Sequence, residues 1–394
     1  MPGGNLSQEA SQRRLHQART QTADLFAVVD RRAWYERPIP ERHLLIFYLG
    51  HLEAFDWNLL CRDQLGMKSF HPAFDRLFAF GIDPPVNSAP ADTPSDWPSI
   101  EEIEDYSRRV RETVDSNLER MPGRLINVAI EHRLMHAETR AYMLHNLPYE
   151  CKRPRTDPPE PRSAELESPE VEVRSGDAVL GRESGDGFGW DNEFEKQVVS
   201  VKPFEIGRYK VSNGDYLAYV NQGARPPHFW VKRKSGWGFR TMFREVPLPL
   251  EWPVWVTHEE AESYARWRGK RLPTEAEYHR AAYGDGDADM NSAHADFIAW
   301  NPISVLAEAG RSTSGARQML GNGWEWTSTV FAPFGGFAPF PFYPGYSADF
   351  FDGEHWVLKG GSPRTAGCLL RRSFRNWFRG NYPYVYAGFR CVAN

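Results

Sequence analysis

His132 and His136 stand four residues apart in INVAIEHRLMHAETRAYMLHNL, a stretch whose apolar residues recur at helical spacing. On a helix, that spacing projects both imidazoles from one face, about one turn apart, as two ligands to a single metal ion require. His51 lies in a second helical stretch, HLLIFYLGHLEAFDWNLL, two residues before Glu53. Facing helices of a bundle commonly supply ligands to one shared site. Three histidines leave coordination positions open for substrate and dioxygen, which suits Fe(II) better than a closed structural zinc site. Glu138 is spaced to accept a hydrogen bond from a ligand imidazole. His43 and His145 lie on the same two stretches. H-x-x-x-H also arises in helices that bind nothing, so spacing alone leaves buried core histidines as the competing explanation.

Such residues need rigid elements to position them. Residues 1–150 hold four helical stretches, the other two being LHQARTQTADLFAVV and SIEEIEDYSRRVRETVDSNLERM. The last is charged on one face and apolar on the other, and Ser99 and Glu102 have capping-box spacing. The expectation is an antiparallel four-helix bundle. Residues 151–170 carry five prolines and alternating charge, which predicts an extended surface linker. Over 171–394 the texture changes. Strand-like EVEV, QVVSV and HWVLKGG alternate with Gly, Asn and Asp clusters, and NGDYLAYVNQ, THEEAESYARWRG and TEAEYHRAAYG are helical. This predicts an α+β domain, with FAPFGGFAPFPFYPGY as a long ordered loop or lid. A length of 394 residues agrees with two domains.

Composition narrows the function classes. A net charge of −5 with scattered Lys and Arg offers no nucleic-acid footprint and no polybasic membrane anchor. The four cysteines form no C-x-x-C pair and are too few for a disulfide framework. The N-terminal residues lack the apolar core of a signal peptide, and no apolar run is long enough to span a bilayer, so a cytoplasmic enzyme is expected. Most of the 14 tryptophans read as core or scaffold, and some are candidates for an aromatic cage around a cationic ligand.

The second half contains RLPTEAEYHRAA at 271–282, GNGWEWT at 321–327, LKGGS at 358–362 and GFRCV at 388–392. Together these motifs resemble the formylglycine-generating-enzyme family, whose fold is related to C-type lectins. Their glycines suit tight turns, and Trp324 and Trp326 read as core. A DinB-like four-helix bundle carrying H…H-x-x-x-H-x-E before such a domain resembles the ergothioneine and selenoneine synthases over nearly the whole chain. That resemblance implies Fe(II) held by His51, His132 and His136, in a site between the two domains. It also implies O2-dependent bonding of sulfur or selenium to imidazole C2 of hercynine, which is N-α-trimethylhistidine. Tyr343 and Tyr346 match the family's tyrosine pair on the loop after W-E-W-T. Tyr343 would then be the proton donor or redox-active group, and Tyr346 a hercynine contact. Asn376 and Trp377 match its R-N-W motif, with Trp377 as an aromatic face for the trimethylammonium group.

Departures from the family bear on the donor. Members that use γ-glutamylcysteine have an acidic residue directly after that Trp and an Arg four residues on, where this chain has Phe378 and Tyr382. The loop GIDPPVNSAPADTPSDWPS lacks the arginines those members carry. A dianionic donor would meet no cation there. Free cysteine and a selenosugar remain, and aromatic Phe378 and Tyr382 suit the neutral sugar, as in the selenoneine synthases. Three other functions fit parts of the sequence. These are a formylglycine-generating oxidase using Cys368 and Cys391, a non-catalytic ligand-binding module, and a DinB-like hydrolase or thiol transferase. The sequence carries no sign of oligomeric state.

Overall fold

One nearly all-apolar run and three in which apolar residues recur at helical spacing become the long helices of the first unit. These are α1 (Gln8–Val28), α2 (Leu45–Asp56), and, after the short α3 (Pro72–Leu77), α4 (Ile100–Asp115) and α5 (Gly123–Asn146). The structure is a computed structural model that describes residues 8–79, 90–153, 169–286 and 288–393. It divides into two units, residues 3–156 and 157–394. Most of the linker expected at 151–170, and residues 81–89 of the loop expected to lack arginines, lie outside the described residues.

Burial follows pattern. Helix α4 buries Ile103, Tyr106, Ser107, Val110 and Val114 along one stripe, as an amphipathic helix should. Its first turn is closed by the Ser99–Glu102 capping box. Helices α2 and α5 are buried nearly all round, α5 packing chiefly against α1 and α2 against α4. The helical stretch after Asp56 does not stay α-helical. It widens into a π-helix over Trp57–Gln64, a deviation that apolar periodicity does not register and that frequently accompanies functional sites.

The second unit is α+β. Its strands are β1 (Glu170–Val173), β2 (Gly176–Leu180), β3 (Gln197–Val201), β4 (Phe204–Gly207), β5 (Trp230–Arg233), β6 (Gly236–Arg240), β7 (Glu245–Pro247), β8 (Trp324–Val330), β9 (His355–Lys359), β10 (Asn376–Arg379) and β11 (Ala387–Gly388). Helices α6 (Asn213–Asn221), α7 (His258–Trp267) and α8 (Glu275–Tyr283) interrupt them, each begun by a Ser or Thr capping box. The central sheet runs β10-β9-β8-β11, with β11 parallel to β8 and the other pairs antiparallel. Tyr278, Ala281 and Ala282 of α8 pack with Val171, Ile206, Met319 and Val392 in one core cluster.

The W-E-W-T motif is scaffold. Trp324 and Trp326 are buried on β8, and Glu325 between them receives Lys210 Nζ at 2.6 Å and Arg390 Nε at 2.9 Å, with all three side chains fully buried. Gly360, with φ 101°, turns the chain at LKGGS where a Cβ would stand 2.9 Å from the Met319 carbonyl oxygen. Among the described residues, no helix is long and apolar enough to cross a membrane.

Breaking a buried ion pair strands an uncompensated charge and typically costs about 3–5 kcal/mol. Glu325→Gln leaves Lys210 and Arg390 sharing a neutral partner. It should lower the stability of the second unit by that order in urea unfolding followed by tryptophan fluorescence.

Candidate metal centre

Helix α2 places Phe47, His51 and Phe55 at four-residue intervals, hence on one face. Phe47 stacks on His51 with ring centroids 4.7 Å apart, and Phe55 stacks on His132 at 3.5 Å. Aromatic rings thus hold two imidazoles in fixed planes. The three Nε2 atoms converge: His136 lies 3.3 Å from His51 and 3.1 Å from His132. The three residues offer ligand atoms all within 4.8 Å of one another, and all three are buried.

The tautomer of His51 follows from its neighbour. Its Nδ1 lies 2.6 Å from the Phe78 carbonyl oxygen, which can only accept, so Nδ1 carries the proton and Nε2 presents a lone pair. Burial lowers the His51 pKa to about 4 despite that hydrogen bond, and burial holds His132 and His136 well below the usual range. Neutral imidazoles with converging nitrogens fit a divalent transition-metal ion. For metal–nitrogen bonds of ~2.1 Å, adjacent ligand nitrogens stand ~3.0–3.4 Å apart. The donor set and these separations meet that requirement, and three ligands leave positions open.

Phe78 reaches His51 because of Gly50. A Cβ at position 50 would sit 2.5 Å from the Phe78 ring, so only glycine lets that residue close down on α2. Glycine inside a helix is otherwise costly. The register of α2 against α5 is set by Arg133, next to His132. Its guanidinium donates to Glu53 at 2.9 Å and to Asp56 at 2.7 Å, and Arg111 of α4 also donates to Glu53 at 2.7 Å. Burial pushes the Glu53 carboxyl up, but Arg133 and Arg111 outweigh it and hold its pKa at about 2. Glu53 and Asp56 therefore face arginines, and the acceptor that orients His51 is main-chain. Glu138 is buried on α5.

The remaining expected site residues lie in the second unit, in two groups. Tyr346 stacks on Trp190 at 3.9 Å and meets Trp377 edge-on at 5.4 Å, with Tyr343 5.6 Å from Tyr346. Trp377 lies flat on Phe331 at 4.3 Å. Phe378 is the next residue of β10 and so points to the opposite face of the strand. There it stacks on Tyr382 at 5.1 Å, and Tyr382 meets Tyr384 edge-on. Asn376 shares the Phe378 side of the strand by alternation, with its side-chain oxygen accepting from the Trp377 N–H at 2.9 Å. The structure therefore gathers Tyr343, Tyr346 and Trp377, and sets Phe378 and Tyr382 apart from them.

Buried carboxylates hold the first group. Ser347 Oγ donates to Asp191 at 2.6 Å, which ties the tyrosine loop down beside Trp190. Glu193 accepts from Arg371 Nε at 2.8 Å and from Ser373 Oγ at 2.6 Å, which fixes the segment leading into β10.

Residues 156–394 match the model of the sulfatase-modifying factor enzyme 1-like domain. "Hercynine oxygenase" of Mycolicibacterium smegmatis is 35% identical, over 71% of this chain and 74% of that protein. "Ergothioneine biosynthesis protein 1" of Neurospora crassa and that of Schizosaccharomyces pombe are each 29% identical over 91% of this chain. The chain belongs to the ergothioneine-synthase family. It spans only about half the length of those two fungal relatives, 54% and 53%.

Within an ergothioneine-synthase-family chain, sequence motifs point to the histidines and aromatic residues but not to what holds them. Phe78, Trp190, Asp191 and Arg133 escape motif reasoning because each acts through a contact distant in sequence. Gly50 carried a signal, being a glycine in the middle of an apolar helix.

His136→Ala removes the nitrogen shared by both short separations. It should abolish stoichiometric Fe(II) or Co(II) binding while far-ultraviolet circular dichroism stays unchanged. Gly50→Ala should displace Phe78 and weaken Co(II) binding roughly tenfold, a range typical of losing an outer partner of a ligand histidine, as read by titration of the visible cobalt bands.

Proposed function

We propose that this chain is a non-haem Fe(II), O2-dependent enzyme that joins a sulfur or selenium donor to imidazole C2 of hercynine. The observation that carries this is the buried convergence of three neutral imidazoles in a chain of the ergothioneine-synthase family. The relatives' names, hercynine oxygenase and ergothioneine biosynthesis protein, agree with hercynine as the acceptor. His51, His132 and His136 would hold the iron, which when bound supplies dioxygen activation and an open position for the substrate imidazole.

The chain's own groups do the rest. A trimethylammonium group cannot donate a hydrogen bond, so aromatic faces and shape must recognise it, and Trp377 with Tyr346 supplies both. Asn376, on the Phe378 side of β10, offers an amide on the opposite face of the strand. Tyr343, next to Tyr346 and only half-buried, is the proposed source of a proton or hydrogen atom during bond formation.

Phe378 and Tyr382 form the donor side. A stacked aromatic pair suits the ring of a neutral sugar, which supports a selenosugar donor and a selenoneine-type product. A cysteine donor, giving a hercynine sulfoxide, is the second possibility, and the ergothioneine naming of the relatives favours it. Formylglycine-type oxidation needs a reactive thiol, whereas burial pushes the Cys391 thiol up to about 12.

The test is reconstitution with Fe(II) under anaerobic conditions, followed by air and hercynine with cysteine, γ-glutamylcysteine or a selenosugar in parallel. Mass spectrometry should find a hercynine adduct with the selenosugar or with cysteine, and little with γ-glutamylcysteine. Absence of any adduct would refute the proposed function. Tyr343→Phe should cut turnover at least tenfold with little change in hercynine affinity.

A further inference from the structure

We propose that Arg140 is an uncompensated positive charge that holds the bound metal in its divalent state. This rests on the proposed iron site and adds a residue to it. His132, His136 and Arg140 follow one another at four-residue intervals on α5, so they line one face, with Arg140 one turn beyond His136.

Arg140 is 1% exposed. Among the described residues, no hydrogen bond reaches its Nε, Nη1 or Nη2, and no ion pair meets it. The guanidinium lies over the Phe26 ring, 4.5 Å from its centre, in a cleft walled by Leu25, Val29, Leu45 and Leu144. Arg133, on the same helix and equally buried, is matched by Glu53 and Asp56. The bundle thus neutralises one buried arginine and leaves the next one bare. Burial, aided by the charge of Arg133, lowers the Arg140 pKa to about 9, so it stays cationic at neutral pH.

A bare buried charge destabilises a fold, and an apolar residue of similar size would serve the bundle better. Departures of this kind concentrate at functional sites. The field of Arg140 acts on a metal ion held by His136, one turn away on the same face of α5, and by His132, two turns away. At a separation on the order of 10 Å, with an effective dielectric constant near 20, a unit charge penalises each added metal charge by roughly tenfold in equilibrium. The trivalent ion is therefore disfavoured against the divalent one, and resting enzyme is kept ferrous and ready for dioxygen. The cost is weaker divalent binding than the three imidazoles alone would give.

The test compares wild type with Arg140→Met and Arg140→Gln, two neutral variants, so that one failing to fold leaves the other. Arg140→Lys is included to retain the charge. Co(II) affinity is read from the cobalt visible bands. The Fe(III)/Fe(II) midpoint is read by mediated anaerobic titration with electron paramagnetic resonance. The neutral variants should bind Co(II) at least tenfold more tightly and show a midpoint lower by about 59 mV, a tenfold change for one electron. Their melting temperature should be equal or higher, and Arg140→Lys should lie nearer wild type. Unchanged or weaker Co(II) binding with an unmoved midpoint would overturn the role of Arg140. Wild-type protein that binds neither Co(II) nor Fe(II) would instead overturn the metal site itself, and this inference with it.

Discussion

The contact between α2 and α5 is the constraint on which the first unit depends. Both helices are buried almost all round. Apolar packing alone would tolerate small slides along the axis, because leucine-rich surfaces offer neighbouring registers of similar energy. Arg133 removes that freedom. Its guanidinium bridges Glu53 and Asp56 on α2, and Arg111 reaches Glu53 from α4. Desolvating these charges is expensive, so the pair contributes register more than net stability. The register matters because nitrogens must meet within tenths of an ångström, a tolerance hydrophobic burial does not impose.

The second unit solves a related problem with loops. Residues 331–346 have no regular strand or helix, yet Tyr346 is buried against Trp190. Asp191 and Glu193, two residues apart, reach in different directions and tie the tyrosine loop and the approach to β10 to one short segment. Burial pushes the Glu193 carboxyl up, but Arg371 and its hydrogen bonds outweigh that and hold it below the usual range. A carboxyl depressed in the folded state contributes its full stability above the ordinary carboxylate range. That contribution fades as pH falls through the lower folded value. The approach to β10 therefore depends on a Glu193 carboxylate that stays ionised.

Charge is handled in two ways inside the protein. Glu325 is ion-paired with Lys210 and Arg390, and Glu53 with Arg133, so attraction offsets desolvation. Arg140 has no such partner among the described residues. Where the bundle pairs Arg133 with two carboxylates, the guanidinium of Arg140 is best explained by the field it creates.

Much of this was legible in the amino-acid sequence, for reasons that are local. The four helices, the Ser99–Glu102 cap and the strands EVEV, QVVSV and HWVLK follow from periodicity and end signals within a few residues. The one-face placement of His132 and His136 follows from 3.6 residues per turn. The four C-terminal motifs identify the second unit because tight turns and a buried Trp-Glu-Trp strand restrict residue choice. Only the tertiary structure decided that His51 meets His136, that a main-chain oxygen 27 positions along the chain orients it, and that Trp377 and Phe378 serve different faces. It also decided which arginine finds carboxylates and which does not. Those outcomes depend on packing between segments far apart in sequence, where no spacing rule applies and burial sets the energy of every charge.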